Sequence, residues 1–167
     1  MPTLLRLAIL VLNQPPYKPL DVVLSYCHLS LQNSTLTDFA PHFKQRAQVG
    51  RLVAASPLCM GLLTPRVPGW HPAPSELRKA VEECHVLNLP NVALGFSIRH
   101  TGALHHNMPL VVGMSSPHEV HECIKVWREV QEGNRAEARR TYEEMVTKRL
   151  DDVGLKDWSW ASPPVGL

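Results

Sequence analysis

Two apolar rhythms alternate along the chain. Residues 3–12, "TLLRLAILVL", are dense in helix formers and stop before Asn13 and Pro15-Pro16, which predicts a helix. "LDVVLSY", 20–26, is a short branched-apolar run and predicts a strand buried on both faces. A helix follows over 35–47, with Thr35 and Asp38 in capping-box spacing and Pro41 expected to kink it. "GRLVAAS", 50–56, predicts a second doubly buried strand. A Pro-rich loop, 64–74, leads to a helix from Ser75 to about Asn88, where Leu77, Ala80, Val81 and Cys84 keep the i, i+3, i+4, i+7 spacing. Another helix is predicted over 91–100, and a third strand over 109–114. Ser116-Pro117 with Glu119 opens the next helix, with Val120, Cys123, Ile124 and Trp127 on its inner face. Residues 135–150 alternate in charge, which predicts a helix with a solvated outer face. The tail, "LKDWSWASPPVGL", places Trp158 and Trp160 to pack against the body.

Strands that alternate with helices predict an α/β fold with a parallel sheet and right-handed crossovers. In such sheets the loops leaving the strand C-termini build the site. Both "AASPLCMG" and "VVGMSSP" carry small residues there, which lets backbone N–H groups approach a ligand. The second turn also opens a helix, whose N-terminal N–H groups and dipole favour a phosphate. The alternative is plainer: serine before proline is an ordinary N-cap and turn signal.

Composition narrows the partners. At 167 residues there is enough chain for one domain with a core. A net charge of +2 with no dense basic cluster gives no nucleic-acid surface. No run reaches the ~18 apolar residues of a membrane span. Arg6 interrupts the N-terminal apolar run, and no small-x-small site follows before Pro15, against a secretory signal. The four cysteines, 27, 59, 84 and 123, form no C-x-x-C pair and read as free thiols in a reducing, cytoplasmic compartment. "HEVHEC" holds His118, His121 and Cys123, but helical spacing turns Cys123 toward the apolar side, so no metal site is assigned. His105-His106 lies in a polar loop before the third strand, a weaker candidate for a site.

Three stretches, "DVVLSYCHLSLQNSTLTDFAPHF", "LVAASPLCMGLLTPRVPGWHPAPSEL" and "LVVGMSSPHEV", together resemble the aldo-keto reductase superfamily. The likeness is to its L-galactose dehydrogenase and D-arabinose (D-threo-aldose) 1-dehydrogenase branch, and "DWSWASP" extends it over about residues 3–163. The resemblance implies part of a (β/α)8 TIM barrel, with three parallel strands equivalent to strands six to eight and a single, truncated oxidoreductase domain over 1–167. It implies a cofactor cradle: Ser56, Pro57, Leu58, Met60 and Gly61 around the pyrophosphate, and Gly113, Met114, Ser115 and Ser116 beneath the adenosine. Met114 and Glu119 stand where NADP-preferring members carry a Lys and an Arg for the 2′-phosphate, so NAD is favoured, with NADP as the alternative. Cys123 replaces an adenine-facing Asn. Trp70 and His71 sit on the loop over the substrate or cofactor, as anchor or as contact.

The family's catalytic Asp, Tyr, Lys and His have no match here. Tyr17, Tyr26 and Tyr142 fall elsewhere, so no catalytic residue is assigned. The expected function is the cofactor-binding part of an NAD(P)-dependent aldose 1-dehydrogenase, inactive by itself, acting on a sugar only when completed. The alternative is a non-catalytic nucleotide-binding or protein-interaction remnant. Three strands cannot close a barrel, so an open sheet edge and an exposed inner face are expected, and with them marginal stability, aggregation or a partner that covers the sheet.

Overall fold

The computed structural model describes residues 1–103 and 108–160. Helix α1 (Pro2–Leu12) leads into strand β1 (Val22–Tyr26), helix α2 (Leu36–Gln45) and strand β2 (Arg51–Ala55). After a long connection come α3 (Ser75–Glu83), α4 (Leu89–Ala103), the short strand β3 (Leu110–Val111), α5 (Pro117–Gln131) and α6 (Ala136–Asp152). The strands are parallel in the order β1-β2-β3, with Val22 opposite Arg51, Tyr26 opposite Ala55 and Ala55 opposite Val111. This α/β sheet with flanking helices is consistent with part of a (β/α)8 barrel. The third strand is much shorter than the 109–114 run predicts.

Two apolar clusters organise the packing. One sets Val23, Leu52 and Ala54 of the sheet against Leu5, Ala8, Leu36, Ala40 and Phe43 of α1 and α2. The other gathers Leu62, Leu63, Leu77, Val81, Leu89 and Val92 beneath α6, where Val146 and Leu150 close it. Trp158 and Trp160 pack on that second cluster, as the sequence predicts, and the Trp160 ring meets His71 edge-on at 5.3 Å. The tail is stitched down by hydrogen bonds: Gln32 Nε2 donates to the Trp158 carbonyl at 2.9 Å, and Asn33 Nδ2 to the Asp157 carbonyl at 3.0 Å.

Four expectations are corrected. Strand β1 is buried on one face only: Val23 and Ser25 turn inward, while Val22, Leu24 and Tyr26 are exposed, Tyr26 by 49%. Three strands supply no second layer on that side, which is the exposed inner face that an unclosed barrel leaves. The same vacancy reaches α5, where Val120, Ile124 and Trp127 are exposed rather than buried, Cys123 is half-buried and Val126 is the buried position. The Thr35–Asp38 capping box does not form, because Thr35 Oγ1 donates instead to Asn33 Oδ1 at 2.7 Å. Helix α6 is not simply solvated: Arg139 and Glu143 are buried with Val146 and Leu150. Residues 105 and 106 and the end of the tail lie outside the described residues.

Candidate functional site

The C-terminal end of β2 bends at once into an unusual turn. Ser56, Cys59 and Met60 all adopt left-handed backbone (φ 58°, 49° and 57°), a region that costs non-glycine residues energy. Gly61 follows at φ 91°, and a Cβ there would lie 2.9 Å from Pro68 Cδ. Only glycine therefore lets the 64–74 loop close over the turn. Ser56 holds the turn from inside: its Oγ accepts the Met60 N–H at 3.0 Å, while its own N–H reaches the Val111 carbonyl at 3.1 Å. Strain concentrated at a strand end, beside a cavity, is the usual mark of a binding turn.

His71 fixes the loop. It is 3% exposed, accepts the Ala73 N–H at Nδ1 (3.1 Å) and therefore donates from Nε2 to the Cys59 carbonyl (2.9 Å). Burial holds its pKa below the ordinary imidazole value, so it is a neutral anchor. Arg78 supports the same loop, donating from Nε to the Ala73 carbonyl and from Nη1 to the Pro68 carbonyl. Trp70, 69% exposed, points away from this packing. The sequence left both residues open between anchor and contact; the structure gives His71 the anchoring geometry.

A cavity of about 1010 Å³ opens between this turn, the start of α4 and the start of α5. It lies at the upper end of the ~300–1,000 Å³ common for small-molecule and cofactor sites. The structure brings Ser56, Pro57, Leu58, Met60, Gly61, Gly113, Glu119 and Cys123 together on its wall. Met114 is on a second cavity of about 550 Å³ between α4 and α5, with Ile124 and Trp127. Ser115 and Ser116 line neither wall. Sequence reasoning did not assign Tyr26, Asn88, Asn91, Leu94, His118 and Glu122 to this site, and all six stand on the first wall. The signal for Asn88 was its place in "LNLPN", where it takes left-handed backbone at the end of a turn.

At the 115–117 turn the chain supplies an anion of its own. Ser116 caps α5 as predicted, its Oγ accepting the Glu119 N–H at 3.3 Å. The Glu119 carboxylate, however, accepts the Ser115 N–H at 2.5 Å and the Ser115 hydroxyl at 3.0 Å. Those donors, which hold the Glu119 carboxyl below its usual range, are thus occupied by the chain's own anion. A carboxylate at this place disfavours a second anion beside it.

No family model matches the chain. Two curated proteins do. L-galactose dehydrogenase of Arabidopsis thaliana is 36% identical over 124 residues, covering 72% of this chain and 38% of that protein. D-arabinose 1-dehydrogenase of Saccharomyces cerevisiae is 33% identical over 124 residues, covering 70% of this chain and 36% of that protein. The chain thus spans little more than a third of the length of the relatives it matches.

Proposed function

We propose, from the premise that the chain corresponds to the C-terminal part of the L-galactose dehydrogenase and D-arabinose 1-dehydrogenase branch of the aldo-keto reductases, that it is the dinucleotide-holding portion of an NAD(P)-dependent aldose 1-dehydrogenase. The observation that carries this reading is the single cavity shared by the strained Ser56–Gly61 turn and the Gly113–Cys123 segment. In the reading, the Ser56 turn faces the pyrophosphate and the α5 start faces the adenosine, with Glu119 accepting from a ribose hydroxyl. That arrangement favours NAD over NADP. The nicotinamide ring, when bound, supplies hydride acceptance; the chain's own residues bind and orient it.

The same reading leaves catalysis to groups outside this wall. Its ionisable residues are Tyr26, His118, Glu119, Glu122 and Cys123. Four of them belong to the α5 end, and Tyr26 stands on the open sheet face. General acid–base catalysis needs a group within hydrogen-bond reach of the reacting oxygen, and the proposal assigns that group, and the sugar site, to the remainder of the barrel. The test is a calorimetric titration of the folded chain with NAD, NADP and AMP, followed by an assay with L-galactose and D-arabinose. Binding of NAD ahead of NADP, without turnover, is the expected result. Absence of nucleotide binding by a folded chain would overturn the reading, and turnover by the chain alone would overturn its catalytic half.

A second reading is favoured by the exposed apolar strip of Val22, Leu24, Tyr26 and Val111 on one side of the sheet. Exposed patches of this kind mark interaction surfaces. On this reading the chain acts by binding protein, and Leu24→Lys abolishes association while nucleotide titration stays silent.

A further inference from the structure

Two carboxamides stand on the wall of the large cavity, Asn88 and Asn91, and the proposed function gives neither a role. Only Asn91 is held in one orientation. Arg139 is buried on α6 and donates from Nη1 to Asn91 Oδ1 at 2.6 Å and to the Asn91 backbone carbonyl at 2.9 Å. A guanidinium donates and never accepts, so it can face only the oxygen of the amide. The oxygen is therefore turned to Arg139, and the amino group Nδ2 is turned away from it. Among the described residues Nδ2 bonds no protein group, and it is not enclosed, which leaves it the cavity. The first turn of α4, which carries Asn91, faces the start of α5 with Glu119 and Cys123 across this space. The donors on the α5 side are weaker or less fixed. Glu119 is a carboxylate tied to Ser115, and the Cys123 thiol is a poor donor. No hydrogen bond among the described residues fixes the His118 ring. The wall thus offers one amide donor, braced from behind by a buried cation, at the end where the reading above places the adenosine.

We propose that Asn91 reads the adenine base, its Nδ2 donating to a ring nitrogen of the base while Arg139 holds the amide from the other side. The proposal rests on the dinucleotide reading and adds to it the side chain that recognises the base. Adenine suits such a donor, because its ring nitrogens N1, N3 and N7 accept in the plane of the base and its amino group alone donates. An amide already locked by Arg139 loses little freedom when it makes that bond. Asn88 shares the wall, but no hydrogen bond among the described residues orients its side chain. The ligand class is an adenine nucleotide, and AMP carries base, ribose and phosphate in the smallest form.

The test is calorimetric titration of the folded chain and of Asn91→Asp with AMP and its 1-deaza, 3-deaza and 7-deaza analogues, each of which replaces one ring nitrogen by C–H. The wild-type chain should bind AMP about three- to tenfold more tightly than one of the analogues, the effect of one neutral hydrogen bond, and level with the others. Aspartate keeps an oxygen for Arg139 and removes the donor. The variant should therefore melt no lower than wild type and bind AMP and that analogue alike. Four nucleotides bound equally by the wild-type chain overturn the proposal. So does a variant that weakens all four uniformly and keeps the wild-type discrimination, which is the effect of added charge alone. That second outcome leaves the dinucleotide reading standing, whereas a folded chain that binds no AMP overturns both. A second measurement needs no variant: the nitrogen-15 resonance of the Asn91 side chain should shift with AMP and not with ribose 5-phosphate, and a resonance unmoved by saturating AMP overturns the proposal even where Asn91→Asp fails to fold.

Discussion

Glu119 bends back over the start of its own helix and holds Ser115 by both the backbone N–H, at 2.5 Å, and the hydroxyl. An internal carboxylate therefore sits where a helix N-terminus would otherwise draw an external anion. Replacing Glu119 with Lys removes that repulsion and supplies a cation. The expected outcome is a shift in preference of about tenfold or more from 5′-AMP toward 2′,5′-ADP, read by calorimetric titration of the wild-type chain and the variant. Unchanged preference would place the adenosine end elsewhere.

The His71 ring bonds two backbone groups of the turn: the Cys59 carbonyl, which also accepts the Leu62 N–H at 3.1 Å, and the Ala73 N–H. His71→Ala leaves the Ala73 N–H buried and unpaired, at a cost of about 1–3 kcal/mol. Urea denaturation should show a loss of at least about 1 kcal/mol, whereas Trp70→Ala, at an exposed position, should stay within about 0.5 kcal/mol. Equal losses for the two variants would mean that the loop is not anchored through the imidazole.

Acid should destabilise the fold before its carboxylates titrate. His28, His71 and His100 are each held below the ordinary value of 6.5, in every case chiefly by burial. The unfolded chain binds protons at these sites from about pH 6.5 downward, and the folded chain only lower. Stability is therefore greatest above that value and is lost as pH falls toward the folded pKa values. Glu143 works with the opposite sign, since burial raises its carboxyl above 4.5 and its protonation favours the fold. It is one group against three. The melting temperature should drop between pH 7.5 and pH 5.5; a flat or rising profile would contradict the neutral burial of these imidazoles.

What could be read without coordinates followed from local chemistry. Ser116-Pro117 stops one segment and starts another by its own backbone preferences, so the start of α5 was legible to the residue. Gly61 and the serine after β2 marked the cavity turn for the same reason. The exposed inner face was expected from the strand count but not from the apolar pattern, because Val22, Leu24 and Trp127 look identical in sequence whether a second layer covers them or not. Arg139 was equally hidden. In "RAEARRTYEE" it is one cation among several on an apparently solvated face, and only the approach of α4 singles it out.

That approach is set by Gly95. A Cβ there would lie 2.8 Å from Arg139 Cδ and 2.9 Å from Cζ, so the guanidinium lies directly across the bare backbone of α4. From this position Arg139 donates to Asn91 Oδ1 at 2.6 Å and to Glu129 Oε2 at 2.8 Å, joining α4, α5 and α6 through one buried cation. Arg139→Ala leaves Glu129 without its partner and opens a void, with an expected cost of about 3–5 kcal/mol. Gly95→Ala keeps every charge but displaces the guanidinium, an overpacking cost of about 1–3 kcal/mol. If both act through the same contact, the double variant loses clearly less than the sum of the two, because the added methyl then enters the space that the arginine has left. Denaturant unfolding of the four proteins gives the coupling, and strict additivity would show that Gly95 is small for some reason other than Arg139.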